Sequence, residues 1–144
     1  MRYREVIRMP IWLLALIYFF LLSLVLAIWA ALGDKAALAS LIITTVLLIL
    51  IAIKSAMVIE IDSDELRVGK AHIELKFLGE TQSLTSAQMQ NQRTRDADPA
   101  AFLAIRFWAS KGVQVVINDS RDTTPYWLIT SNNSEKLAKA LLLR

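Results

Sequence analysis

Hydrophobic and polar positions divide this chain sharply. Ile11 to Leu32 and Ala36 to Ile53 are uncharged throughout, and only Gly33-Asp34-Lys35 separates them. At about 1.5 Å of rise per residue the two runs reach ~33 Å and ~27 Å as helices. A bilayer core is roughly 30 Å thick. Backbone N–H and C=O groups in hydrocarbon must pair within their own segment, which predicts helix for both runs. A signal sequence has an apolar stretch of about 7–15 residues; these runs are longer and stand in tandem. The pattern predicts a transmembrane helical hairpin over residues 11–53, with spans 11–32 and 36–53, behind an N-terminal arm of residues 1–10.

Within the spans, Ser23, Ala27 and Ala31 recur every four residues, as do Ala36, Ser40 and Thr44. Small residues at that spacing let helix backbones approach closely. In an antiparallel hairpin the expected seam sets Ala31 against Ala36, Ala27 against Ser40 and Ser23 against Thr44.

Beyond Lys54 the pattern changes to period two. Met57, Ile59 and Ile61 alternate with polar or outward positions, Asp62-Ser63-Asp64-Glu65 makes a turn, and Leu66 and Val68 alternate with Arg67. Gly69-Lys70 makes a second turn, and Ala71, Ile73 and Leu75 alternate with His72, Glu74 and Lys76. This reads as a β-meander. Further strands are expected over Leu78–Leu84, Phe102–Trp108, Val113–Asn118 and Tyr126–Thr130, with Ser86–Arg95 a short helix or loop. Leu137, Ala138, Leu141 and Leu142 form a helical stripe, and Asn133 or Ser134 is the expected cap of a terminal helix over residues 134–143. The fold class expected is α+β: a two-helix transmembrane hairpin followed by a small, mostly antiparallel β-domain over residues 54–144, closed by a C-terminal capping helix.

Charge adds topology. Arg2, Arg4 and Arg8 precede the first span and Lys54, Arg67 and Lys70 follow the second, whereas the connecting turn carries one Lys35 offset by Asp34. The positive-inside rule then places both termini in the cytoplasm, in a multi-pass protein of the cell (plasma) membrane. Trp12 and Trp29 lie near the two boundaries, where amphipathic rings prefer to lie. The net charge of +3 lies mainly in the N-terminal arm, so the high isoelectric point is no nucleic-acid footprint. The spans hold no ionisable residue, which argues against an ion path built from this chain alone. Without cysteine, disulfides and thiolate metal sites are excluded.

Strands followed by one capping helix resemble a pleckstrin-homology-like (PH-like) barrel, and the run Leu66-Arg67-Val68-Gly69-Lys70-Ala71-His72-Ile73-Glu74-Leu75 is similar to the early strands of bacterial PH-like domains. The chain also resembles, almost end to end, a family of uncharacterised actinobacterial membrane proteins known only as a domain of unknown function. Tyr3-Arg4-Glu5, Leu66-Arg67-Val68-Gly69, Asp96-Ala97-Asp98-Pro99-Ala100-Ala101-Phe102 and Thr124-Pro125-Tyr126-Trp127-Leu128 carry that likeness. The resemblance implies an integral membrane protein and no mechanism. Phosphoinositide-binding PH domains present basic residues in the first inter-strand loop; here Asp62-Ser63-Asp64-Glu65 would repel a phosphate.

Candidate chemistry is sparse. His72, the one histidine, falls on the polar side of its strand, and no nucleophile-elbow motif accompanies it. Asp62, Asp64 and Glu65 lack the spacing of a calcium loop. No catalytic residue, cofactor site or metal site is expected. Two segments are candidate interaction surfaces. One is the polar stretch Asn91–Pro99, with Arg93, Arg95, Asp96 and Asp98, because long irregular loops tend to be functional. The other is Tyr126-Trp127, of which one ring should point inward and the other out. The expected function is a membrane-anchored interaction or docking module, or an accessory subunit of a membrane complex, partnered by the lipid bilayer and by a protein or a second copy, not by nucleic acid. The alternative is an enzyme or transport component with a pocket at the domain–membrane boundary, using Arg106, His72 or the Arg93/Arg95 segment.

Overall fold

The computed structural model describes residues 2–143. Two compact units emerge, Arg8–Ala56 and the remainder of the chain.

In the first unit, α1 spans Ile11–Leu32 and α2 spans Asp34–Lys54. Both are long and apolar enough to cross a membrane. Pro10 is extended before α1, and its carbonyl accepts from the N–H groups of Leu13 and Leu14. Gly33 ends α1 with φ 85°, a conformation that glycine adopts without Cβ strain. The Trp29 indole N–H donates to the Asp34 carboxylate at 2.6 Å across this turn. Along the helix pair the Tyr18 and Thr45 hydroxyls share a hydrogen bond of 3.1 Å.

The seam differs from the expected one. Thr44 is buried and Ala36 and Ser40 are partly buried, but Ser23, Ala27 and Ala31 are exposed. From α1 it is Leu13, Tyr18 and Val25 that turn inward. Val25 and Ala27 are two residues apart, about 200° around a helix of 3.6 residues per turn. Small residues on one helix suffice for close packing, because larger side chains of the other fill the space they leave.

In the second unit the first sheet is an antiparallel meander of β1 (Tyr3–Ile7), β2 (Met57–Ile61), β3 (Glu65–Val68) and β4 (Ala71–Glu74), in that order. The N-terminal segment expected as an arm is therefore a strand: Tyr3, Glu5 and Ile7 alternate inward, and Ile7 lies opposite Met57. Its basic outward residues concealed an alternation whose partner strand lies fifty residues away. The hairpin is thus an insertion between two register-paired strands.

A 3₁₀ turn at Leu75–Phe77 leads to β5 (Leu78–Leu84), α3 (Ser86–Arg93), β6 (Phe102–Ala104), β7 (Gly112–Ile117), β8 (Tyr126–Thr130) and α4 (Ser134–Leu142). The second sheet runs β5-β7-β8-β6, with β6 parallel to β8. That order departs from a meander, because the connection containing α3 carries the chain from one edge of the sheet to the other. The strand expected over Phe102–Trp108 stops at Ala104, and a turn closes with Ala109 N–H donating to Arg106 C=O.

The main core gathers Ile7, Met57, Ile59, Ile61, Leu66 and Val68 from the first sheet, Val113, Val115, Ile117, Trp127 and Ile129 from the second, and Leu137, Ala138 and Leu141 from α4. A smaller cluster of Leu84, Met89 and Leu128 lies under α3, joined by Ile105 and Tyr126. β8 is consequently buried on both faces, as the run Trp127–Thr130 shows.

Candidate functional site

The two candidate surfaces read from the sequence do not form one site. Asn91–Arg93 belong to α3, started by a capping box: Gln88 N–H donates to Thr85 Oγ1, and Thr85 N–H donates to Gln88 Oε1 at 3.0 Å. The Thr85-x-x-Gln88 signature was present in the sequence and marks the helix start that periodicity left open. Arg93 turns back into the fold, where its Nη2 donates to the Ala109 carbonyl at 3.0 Å and its buried Nε has no partner. Burial lowers the Arg93 pKa. Arg95 and Asp96 are exposed, and Asp98 accepts from Ala100 N–H at 2.9 Å, an Asx turn rather than an ion pair.

Tyr126 and Trp127 point to opposite faces of β8, and neither ring is left to solvent. Trp127 is 6% exposed in the main core, its ring 4.5 Å from Phe102. Tyr126 lies half-buried in the cluster beneath α3, its hydroxyl buried without a partner. The helix covers the face on which an outward aromatic was expected. The large exposed aromatic of this region is Phe107, 69% exposed and edge-on to Trp108 at 4.9 Å.

His72 and Arg106 complete the expectations. His72 is exposed on β4 opposite Arg67, whose guanidinium pairs with Glu65 at 2.9 Å. Arg106 is engaged by the fold: its N–H donates to Thr130 Oγ1 at 3.0 Å and its Nη1 to the Ile105 carbonyl at 3.1 Å.

Concentrated buried polar chemistry lies instead at Glu5. This carboxylate is 9% exposed on the inward face of β1. It accepts from the Tyr3 hydroxyl at 2.8 Å, the Ser131 hydroxyl at 2.6 Å and Asn132 N–H at 2.8 Å, while Ser131 Oγ accepts from Asn133 N–H at 3.0 Å. The carboxylate thereby pins the first strand to the corner between β8 and α4. Burial, then the neighbouring Glu5 carboxylate, holds the Tyr3 hydroxyl above the ordinary tyrosine range. The alternation Tyr3-Glu5-Ile7 was the signal for the inward position; the partners, more than 120 residues distant, left none. The arrangement satisfies a charge without presenting it to a substrate, so it acts as a structural clasp.

The grooves of this unit are open. One of about 530 Å³ is lined by Arg2, Ser63, Asp64, Glu74 and Lys76 together with Leu75 and Leu78. Another of about 310 Å³ follows the β3–β4 turn along Glu65, Arg67, Lys70 and His72. Among the described residues no three of His, Cys, Asp and Glu converge as metal ligands.

The family described as "Protein of unknown function (DUF3093)" matches residues 2–141, and the chain belongs to it. No curated protein and no solved structure matches the chain.

Proposed function

Starting from that family membership, we propose that this chain is a membrane-anchored, non-catalytic docking module of the plasma membrane, with both termini in the cytoplasm and a protein partner on its β-domain. The observation that carries the reading is the insertion of an apolar hairpin between β1 and β2, whose facing residues Ile7 and Met57 are register partners. Both ends of the anchor are thereby tied into one sheet through short tethers, Arg8-Met9-Pro10 and Ser55-Ala56. A catalytic domain needs no such double attachment. A docking surface held at a membrane gains from it, because less orientational freedom is lost on association.

Phe107 and Leu103, 69% and 49% exposed on the β6 side, supply the apolar anchors such an interface uses. Lys and Arg flanking the spans support the orientation. The test is purification of the full chain in mild detergent with and without Phe107→Ser. A stoichiometric complex lost on Phe107→Ser, with membrane level unchanged, is the expected result. A monomer in both preparations would overturn the docking role. For orientation, a reporter fused after Arg144 is expected to be active in the cytoplasm; activity on the outer side would reverse the assignment.

A further inference from the structure

The first sheet is polarised along its strands. At one end Ile7 and Met57 face each other, and the chain continues from them into the two tethers of the hairpin. The Gly69-Lys70 turn stands at that same end, held by Gly69 N–H donating to the Val58 carbonyl at 2.8 Å. On the solvent side Val6 lies opposite Val58, and the next row reads Arg4, Glu60, Arg67 and His72 across all four strands. Lys70 is exposed and has no ion-pair partner among the described residues. The opposite end carries Asp62, Asp64, Glu65 and Glu74, with Arg2 beside them and Lys76 paired to Glu74 at 2.6 Å.

We propose that the tether end of this sheet, with Lys70 at its tip, binds the anionic lipid headgroups of the bilayer that the hairpin crosses. The proposal builds on the membrane reading above. Continuity favours lipid over other anions, because the strands at this end run within three and two residues of the spans. Charge complementarity favours this end over the other. Five residues of strand separate the two ends by ~17 Å, beyond a screening length of about 8 Å at physiological salt. The acidic turn therefore does not cancel Lys70, whereas Arg67 is paired with Glu65 at 2.9 Å and Arg4 with Glu60 at 3.2 Å. A half-buried Val6–Val58 pair beside a basic side chain is the combination that settles at a headgroup boundary. Lys70 there contributes roughly a five-fold preference for anionic over neutral lipid.

The test needs no substitution. The full chain is placed in nanodiscs of phosphatidylcholine alone, or of phosphatidylcholine mixed with phosphatidylglycerol, and acylated with an uncharged lysine reagent. Mass spectrometry then follows Lys70, Lys76 and Lys111. In the anionic discs Lys70 is expected to react about five-fold more slowly, with Lys76 and Lys111 unchanged and the protection lost at raised salt. Equal Lys70 rates in the two discs would overturn the headgroup proposal and leave the anchor intact. Protection that needs added cytosolic protein, whatever the lipid, would assign the surface to an acidic protein partner instead. A chain that does not enter the discs would overturn the membrane reading itself.

Discussion

At Glu5 a carboxylate occupies an inward position that neighbouring strand residues fill with tyrosine and isoleucine. Its three donors come from Tyr3, Ser131 and Asn132. Glu5→Ala leaves those donors unpaired; Ser131 is buried, where an orphan costs about 1–3 kcal/mol, while Tyr3 and Asn132 can turn to water. Loss of about 1–3 kcal/mol in denaturant unfolding is expected; an unchanged midpoint would mean that water replaces the carboxylate without cost. Tyr3 gives the clasp a pH dependence. Its folded pKa lies above the ordinary 10.0, so its contribution is full below pH 10 and is lost as the pH rises above that value. In thermal melts the wild type should fall more steeply than Tyr3→Phe on the alkaline side of pH 10, with parallel curves below it. Gly112 is constrained by space rather than by φ. A Cβ there would meet the Ile129 carbonyl and stand 2.6 Å from Met89 Cε. Gly112→Ala should destabilise by about 1–3 kcal/mol through overpacking, and should cost less when measured against a Met89→Ala background than against the wild type, because one of its two clashes is then gone.

Among the elements, those with strong local patterns were legible. Met57–Ile61, Leu78–Leu84, Tyr126–Thr130 and the first apolar helix follow from alternation or length alone. β1 and the parallel β6–β8 pair were not, because their partners are distant and their runs short. The placement of Tyr126 was hidden for a related reason. Alternation set one of Tyr126 and Trp127 outward, but α3 covers that face, and the capping box marked the start of that helix. The hairpin seam was half legible. Spacing identifies a stripe of small residues; it does not tell which neighbour the stripe meets. The contrast is testable on the two helices. Ala27→Leu lies on the exposed face of α1 and should leave thermal stability in detergent unchanged. Ser40→Leu enlarges a partly buried position of α2 and should lower it, by about 1–3 kcal/mol from overpacking. Equal effects would show that both stripes take part in helix packing.

At the scale of the whole molecule, the chain reads as a β-domain interrupted by an apolar helical hairpin. Ile7 and Met57 are directly opposed in an antiparallel pair. Such a pair closes with a turn of two to about five residues, for which Asn-Gly is the strongest signal. Replacing residues 8–56 with a short Asn-Gly turn should therefore convert β1 and β2 into an ordinary hairpin. The first sheet then keeps all four strands, and the Glu5 clasp keeps its partners at Ser131 and Asn132. The shortened chain is expected to be soluble without detergent, to unfold in one cooperative step, and to lose stability on Glu5→Ala as the full chain does. A second shortened chain beginning at Met57 lacks β1. It uncovers the edge of β2 and leaves the β8–α4 corner without its carboxylate, so it should be less stable and aggregate. If both shortened chains behave alike, β1 is not integral to the domain. If neither folds while the full chain does, the β-domain depends on the hairpin for its stability.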